Sequence, residues 1–224
     1  HADTVSERLA NIMRIQLVKR LDSSFFAFIE SLKRYRDANQ AMVTMFERGR
    51  VHIAPSLGVS NYITDEREDE LIALMDRLKE TDPTIQTYLP DDFIFGFEVG
   101  LKKDQAILDE LYSRWQHWRD HHKDPKLVEF IDRLRGNLLH PGKGRTNKLI
   151  VFSEFKDTTN YLKRELESAG FDRMLAVDSH NVDDKAETIR LNFDARVPSN
   201  EQKDDLDLLI STEVLAEGVN LHRS

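Results

Sequence analysis

The chain has no cysteine. That excludes disulfides and every thiolate-ligated metal site, and it fits a reducing, cytoplasmic setting. There is no apolar run of about 18 residues, so no membrane span is expected. The opening His1-Ala2-Asp3-Thr4 lacks a basic start followed by an apolar core, so no signal peptide is expected. Positive charge is also short: 32 Lys and Arg face 40 Asp and Glu, a net of −8. Residues 148–224 hold 10 basic and 16 acidic side chains, net −6, and residues 1–147 hold 22 and 24, net −2. A domain that grips nucleic acid alone carries a basic patch and a high pI. Any nucleic-acid contact here is therefore expected to be local, made by a few loops and shared with another domain. With 40% hydrophobic residues in a chain of 224, there is enough core for one large domain or two modest ones. No internal repeat or low-complexity tract stands out.

From Val5 to about Arg48 the spacing is helical, with Leu9, Ile12, Met13 and Leu17 leading into Leu21, Phe25, Phe28, Ile29 and Leu32 as an inward stripe. Arg14, Lys19, Arg20, Lys33 and Arg34 occupy the opposite face, and its basic part, Lys33, Arg34 and Arg36, is mixed with acids and read as solvated. Residues 51–63, with Pro55 and Gly58, are predicted to be a loop. A helix from about Asp65 faces Leu71, Leu74, Met75 and Leu78 inward and stops before Pro83. Phe93, Phe95 and Phe97 are expected to pack under a second long loop rather than stack bases. Residues 102–122 are predicted helical, with Trp115 and Trp118 facing the core. His117 and His121 share a face at i, i+4, but no glutamate lies between them as a metalloprotease needs, so no metal is expected. Asp124-Pro125 caps a further helix through Leu134.

After Gly142-Lys143-Gly144-Arg145 the pattern changes. Those glycines precede a strand and no Ser or Thr follows Lys143, so they form a linker rather than a Walker A loop. Lys148–Phe152, Met174–Val177 and 206–211 read as strands. A helix capped by Asp157 or Thr158 and closed by Gly170 separates the first two. A helix from Asp183 to about Asp194, facing Ile189, Leu191 and Phe193 inward, separates the second pair. This β-α-β-α-β order predicts a parallel sheet with right-handed crossovers. The expected division is a helical region over 1–140, a linker over 141–147 and an α/β lobe over 148–224.

The densest chemistry follows the last strand, in Ser211-Thr212-Glu213-Val214-Leu215-Ala216-Glu217-Gly218-Val219-Asn220-Leu221. Hydroxyls and glycine amides at a strand's C-terminal end suit phosphate oxygens. Thr212 and Glu213 can also simply cap a short helix. This segment resembles motif V of superfamily-2 helicases and translocases, most closely the Swi/Snf-type branch. Ile150–Phe155 resembles motif IV of the same family. Ala176-Val177-Asp178-Ser179, Lys185 and Asn192-Phe193-Asp194 follow in the family's order, with Ser179 and Lys185 where glycine and arginine are common. Met13–Leu21 resembles, more loosely, the helices that precede the second lobe in bacterial members.

The resemblance implies a partial second RecA-like lobe of an ATP-dependent double-stranded DNA translocase. By resemblance, Ser211 and Thr212 contact a backbone phosphate. Ser153 lies on the same nucleic-acid side, as does Asn220, which holds the turn. Glu217 and Gly218 lie towards the nucleotide. ATP and Mg2+ would be held mainly by lobe 1, the implied partner. Lobe 1 and the arginines of motif VI are expected outside these residues, so no catalytic residue, bound cofactor or ATP hydrolysis is expected here. Two alternatives remain open: a small nucleotide- or metabolite-binding α/β domain, and a helical protein-interaction or regulatory module. The lobe reading further predicts Val151, Val177 and Leu209 on adjacent parallel strands buried on both faces, with loops 153–157, 178–183 and 211–218 opening at one edge.

Overall fold

The computed structural model of the chain describes residues 2–139, 147–215 and 221, with side chains described from residue 10 onward. They form two compact units, one of residues 1–30 with 121–224 and one of residues 31–120. The sheet-containing unit thus draws on both sides of the 141–147 segment.

In that unit, α1 (Ala2–Ser23) stops at Ser24, whose hydroxyl accepts the Ala27 amide at 3.0 Å and so caps α2 (Phe25–Glu47). The single helical run expected over Val5–Arg48 is therefore two helices. Its inward stripe also fails at the start: Ile12 and Met13 are 54% and 47% exposed. Apolar spacing had marked a face, but among the described residues no core of this unit includes it.

Helix α6 (Pro125–Arg133) begins as its sequence requires. Asp124 accepts the Lys126 and Leu127 amides at 3.0 and 3.4 Å, and Pro125 fills the first turn. A short π turn, Leu134–Leu138, follows. Then come β3 (Leu149–Ser153), α7 (Lys156–Ser168), β4 (Met174–Val177), α8 (Val182–Phe193) and β5 (Leu208–Thr212). The three strands are parallel in the order β3-β5-β4. The first crossover passes over β5 and the second returns, so right-handed crossovers put α7 and α8 on opposite faces. The cores agree: Leu208 and Ile210 pack with Leu166 of α7, whereas Leu209 and Val177 pack with Ile189 and Phe193 of α8.

The expectation of strands buried on both faces holds for β5 and for the end of β4, where Ala176 and Val177 are buried, but not for β3. Leu208, Leu209, Ile210 and Ser211 are all buried, whereas Val151 is half-buried and Phe152 is 48% exposed. Among the described residues only β5 has a strand on each side, which accounts for its burial over residues 208–211. Leu191, expected inward on α8, is half-buried; the adjacent Asn192 is buried instead and accepts the amides of Asp205 and Leu206.

The second unit contains the rest of α2, β1 (Val51–Ile53), α3 (Val59–Thr64), α4 (Glu68–Leu78), β2 (Gln86–Tyr88) and most of α5 (Phe97–His121). The loop expected over 51–63 is instead a strand and a short helix. Val51, His52 and Ile53 pair antiparallel with Tyr88, Thr87 and Gln86, a partner too distant in sequence for local periodicity to reveal. Phe93 and Phe97 pack around Phe46, as expected, but Phe95 is fully exposed. Trp115 and Trp118 are half-buried and meet edge to face. Buried His52 lies 3.0 Å from Thr87 Oγ1 and 3.3 Å from Glu68 Oε1, and Arg48 meets the same carboxyl at 2.5 Å. Burial would raise the Glu68 pKa, but Arg48 and His52 together hold it below its ordinary value.

Candidate functional site at the strand C-terminal edge

Parallel strands end at one side of a sheet, so the loops after β3, β4 and β5 emerge together. Ser153 and Thr212 are register partners at the ends of β3 and β5. Side chains paired across parallel strands share a face, and successive residues alternate faces. Ser153 and Thr212 therefore lie on the α7 side, with Ile210. Ser211, aligned with Phe152 and Val177, lies on the α8 side.

The β3–α7 loop turns on Ser153. Its hydroxyl accepts the Phe155 amide at 3.2 Å and lies 3.3 Å from the Phe155 carbonyl, and the residue is 9% exposed. Neither Asp157 nor Thr158 caps α7. The cap position is Phe155, with no side-chain cap bond, and both polar residues engage α1 instead.

The β4–α8 loop is a closed polar turn. Asp178 donates its amide to Asn181 Oδ1 at 3.0 Å, and its carboxylate accepts the His180 amide at 2.8 Å. Lys156, on the first turn of α7, reaches Asp178 Oδ2 and His180 Nδ1, both at 3.2 Å, and so ties the two loops together. Asp178 is 5% exposed. Burial pushes its carboxyl up, but the His180 amide and Lys156 outweigh that and hold it below the usual range. Lys185 turns back to the Ala176 carbonyl at 2.9 Å.

After β5, Ser211 is fully buried and its hydroxyl donates to the Thr212 carbonyl at 2.7 Å. Thr212 is half-buried, and Glu213–Leu215 form a short 3-10 turn. Glu217, Gly218 and Asn220 lie outside the described residues, as does Gly142–Arg145. The edge thus brings Ser153 and Thr212 side by side and sets Ser211 apart from both.

The cations around this edge face carboxylates: Lys156 with Asp178, Arg20 with Asp157 and Lys19 with Glu154. A phosphate bound here would compete with those partners. An open cleft of about 520 Å³ runs beside β3, lined by Lys19, Asp22, Ser23, Phe152, Glu154 and Thr158 among others. Sequence reasoning put Arg20 on the charged face of its helix and singled out neither Ser23 nor Lys156, because what all three meet is distant in the chain. Among the described residues, no group of three or more His, Asp or Glu is placed to hold a metal ion. Among them, too, no helix is long and apolar enough to cross a membrane. Compared with known proteins, the chain matches no family model, no curated protein and no solved structure.

Proposed function

We propose that the sheet unit is part of the second RecA-like lobe of an ATP-dependent DNA translocase of Swi/Snf type. Its strand C-terminal edge holds a backbone phosphate of double-stranded DNA. The observation that carries this reading is the pairing of Ser153 with Thr212 at adjacent strand ends, beside the loop that Lys156 ties to Asp178. Of the motif V hydroxyls, Thr212 is the phosphate ligand. Ser211 shapes the turn, because its hydroxyl is buried and already donates to a neighbouring carbonyl. By the family resemblance Glu217 and Gly218 belong to the nucleotide side, where ATP and Mg2+ are held mainly by lobe 1, and Asn220 belongs to the nucleic-acid side.

Fluorescence anisotropy with labelled duplex DNA tests the reading. Thr212→Ala should weaken binding by about tenfold, the loss of one hydrogen bond to a charged group. Ser211→Ala should leave affinity near wild type. Equal affinities for wild type and Thr212→Ala would sink the assignment. Saturable binding of a free nucleotide with no DNA affinity would favour a metabolite-binding α/β domain instead.

A further inference from the structure

We propose that the α1–α2 junction is a brace that positions the β3–α7 loop, with Arg20, Ser23 and Ser24 as its positioning residues. The junction and the loop are far apart in sequence but share one polar cluster. Ser23 Oγ lies 2.7 Å from Thr158 Oγ1 and 3.5 Å from Ser153 Oγ, and Ser24 Oγ lies 3.0 Å from Thr158 Oγ1. Beside it, Arg20 donates to Asp157 at 2.5 Å and lays its guanidinium over the Phe155 ring, 4.1 Å from the centroid. Lys19 adds an ion pair with Glu154 at 3.0 Å. Thus Ser153, Glu154, Phe155, Asp157 and Thr158 each meet a side chain from Lys19–Ser24.

The contacts are unequal. The Lys19–Glu154 pair is 50% and 44% exposed, so it counts for little. Arg20 and Asp157 are 25% and 27% exposed and gain the ring contact, while Ser24 and Thr158 are 4% exposed each. Removing a partner there strands a buried hydroxyl. The first turn of α7 also has a structural need. Its cap position, Phe155, offers no side-chain acceptor. Asp157 and Thr158, the second and third residues of the helix, are engaged by α1. The brace therefore sets the loop where a local cap would otherwise do so.

Beyond the brace, Ala10–Gln16 are exposed on every side of α1. That the braced loop borders a phosphate site rests on the reading above; the bracing itself does not.

Hydrogen-exchange mass spectrometry of the whole chain tests it. In Arg20→Ala, and separately in the Ser23→Ala/Thr158→Val double variant, amides 154–160 should exchange about tenfold faster or more. Amides of α8 should keep wild-type rates, and Thr158→Ser should restore loop protection. Unchanged loop exchange in both variants overturns the proposal, as does equal acceleration of loop and α8, which would mark a merely global destabilisation. Duplex binding is the second readout. If the loop loosens and affinity falls, brace and phosphate site both stand. If the loop loosens and affinity holds, the brace stands and the assignment of the edge to DNA fails.

Discussion

Asp178 is nearly buried, yet its carboxyl stays ionised because the His180 amide and Lys156 outweigh the cost of burial. A folded-state pKa below the unfolded value, about 3.9, gives stability that is complete above about pH 4 and is lost as pH falls through the folded value. Asp178→Asn should therefore lower stability at neutral pH and flatten the acid limb below about pH 4. Urea midpoints across that range check it, and an acid limb as steep as wild type's would show that the pair contributes nothing. At this scale alternation held more than the sequence reading drew from it. Strand β5 runs on to Thr212, so Ser211 and Thr212 face opposite sides and Thr212 shares a face with Ile210, whereas ending the strand at residue 211 had given both hydroxyls to one phosphate. What could not be read was Ser23 meeting Thr158 across 135 residues, because nothing local distinguishes that serine from any other at a helix end.

Helix α7 shows which elements announce themselves. Its C-terminus closes with the Phe171 amide on the Leu166 carbonyl and the Gly170 amide on the Glu167 carbonyl, both at 3.0 Å. Gly170 takes φ +88, as a Schellman cap favours, and Phe171 packs against the core cluster that holds Leu166, as commonly accompanies one. Glycine at that offset was readable, as was Asp124-Pro125 before α6. Gly170→Ala meets no steric obstacle but forces a side chain into the left-handed region, so urea unfolding should show a loss of about 1–2 kcal/mol. Gly136→Ala, in a helical turn with equally open space, should instead be neutral or gain up to about 1 kcal/mol. The start of α7 was misread because its polar first-turn residues serve a distant helix. Strands β1 and β2 were missed because three residues are too few to display a period. The position of β5 also sets its cost of mutation. Leu209→Ala should cost about 2–5 kcal/mol, whereas Phe152→Ala at the half-exposed edge should cost far less.

Across the whole molecule, the acidic balance and the paired cations limit what the edge can do alone. The net charge of −8 opposes a polyanion, and Lys156, Arg20 and Lys19 each face a carboxylate that a phosphate must displace. Duplex binding by the chain should therefore be weaker than micromolar at physiological salt and fall steeply as salt rises. ATP turnover is constrained more tightly. Phosphoryl transfer needs a loop that cradles the nucleotide phosphates, with a Mg2+ to neutralise the developing charge. None of the glycines in these 224 residues begins a Walker A pattern, since Gly142-Lys143-Gly144-Arg145 precedes its strand and lacks the hydroxyl that holds the metal. Phosphate release from ATP and Mg2+ should consequently match buffer, with or without duplex DNA. Any DNA-stimulated turnover that persists through repurification and disappears with Thr212→Ala would mean that this edge holds the nucleotide itself. The roles assigned to Thr212 and to the residues after it would then have to be exchanged.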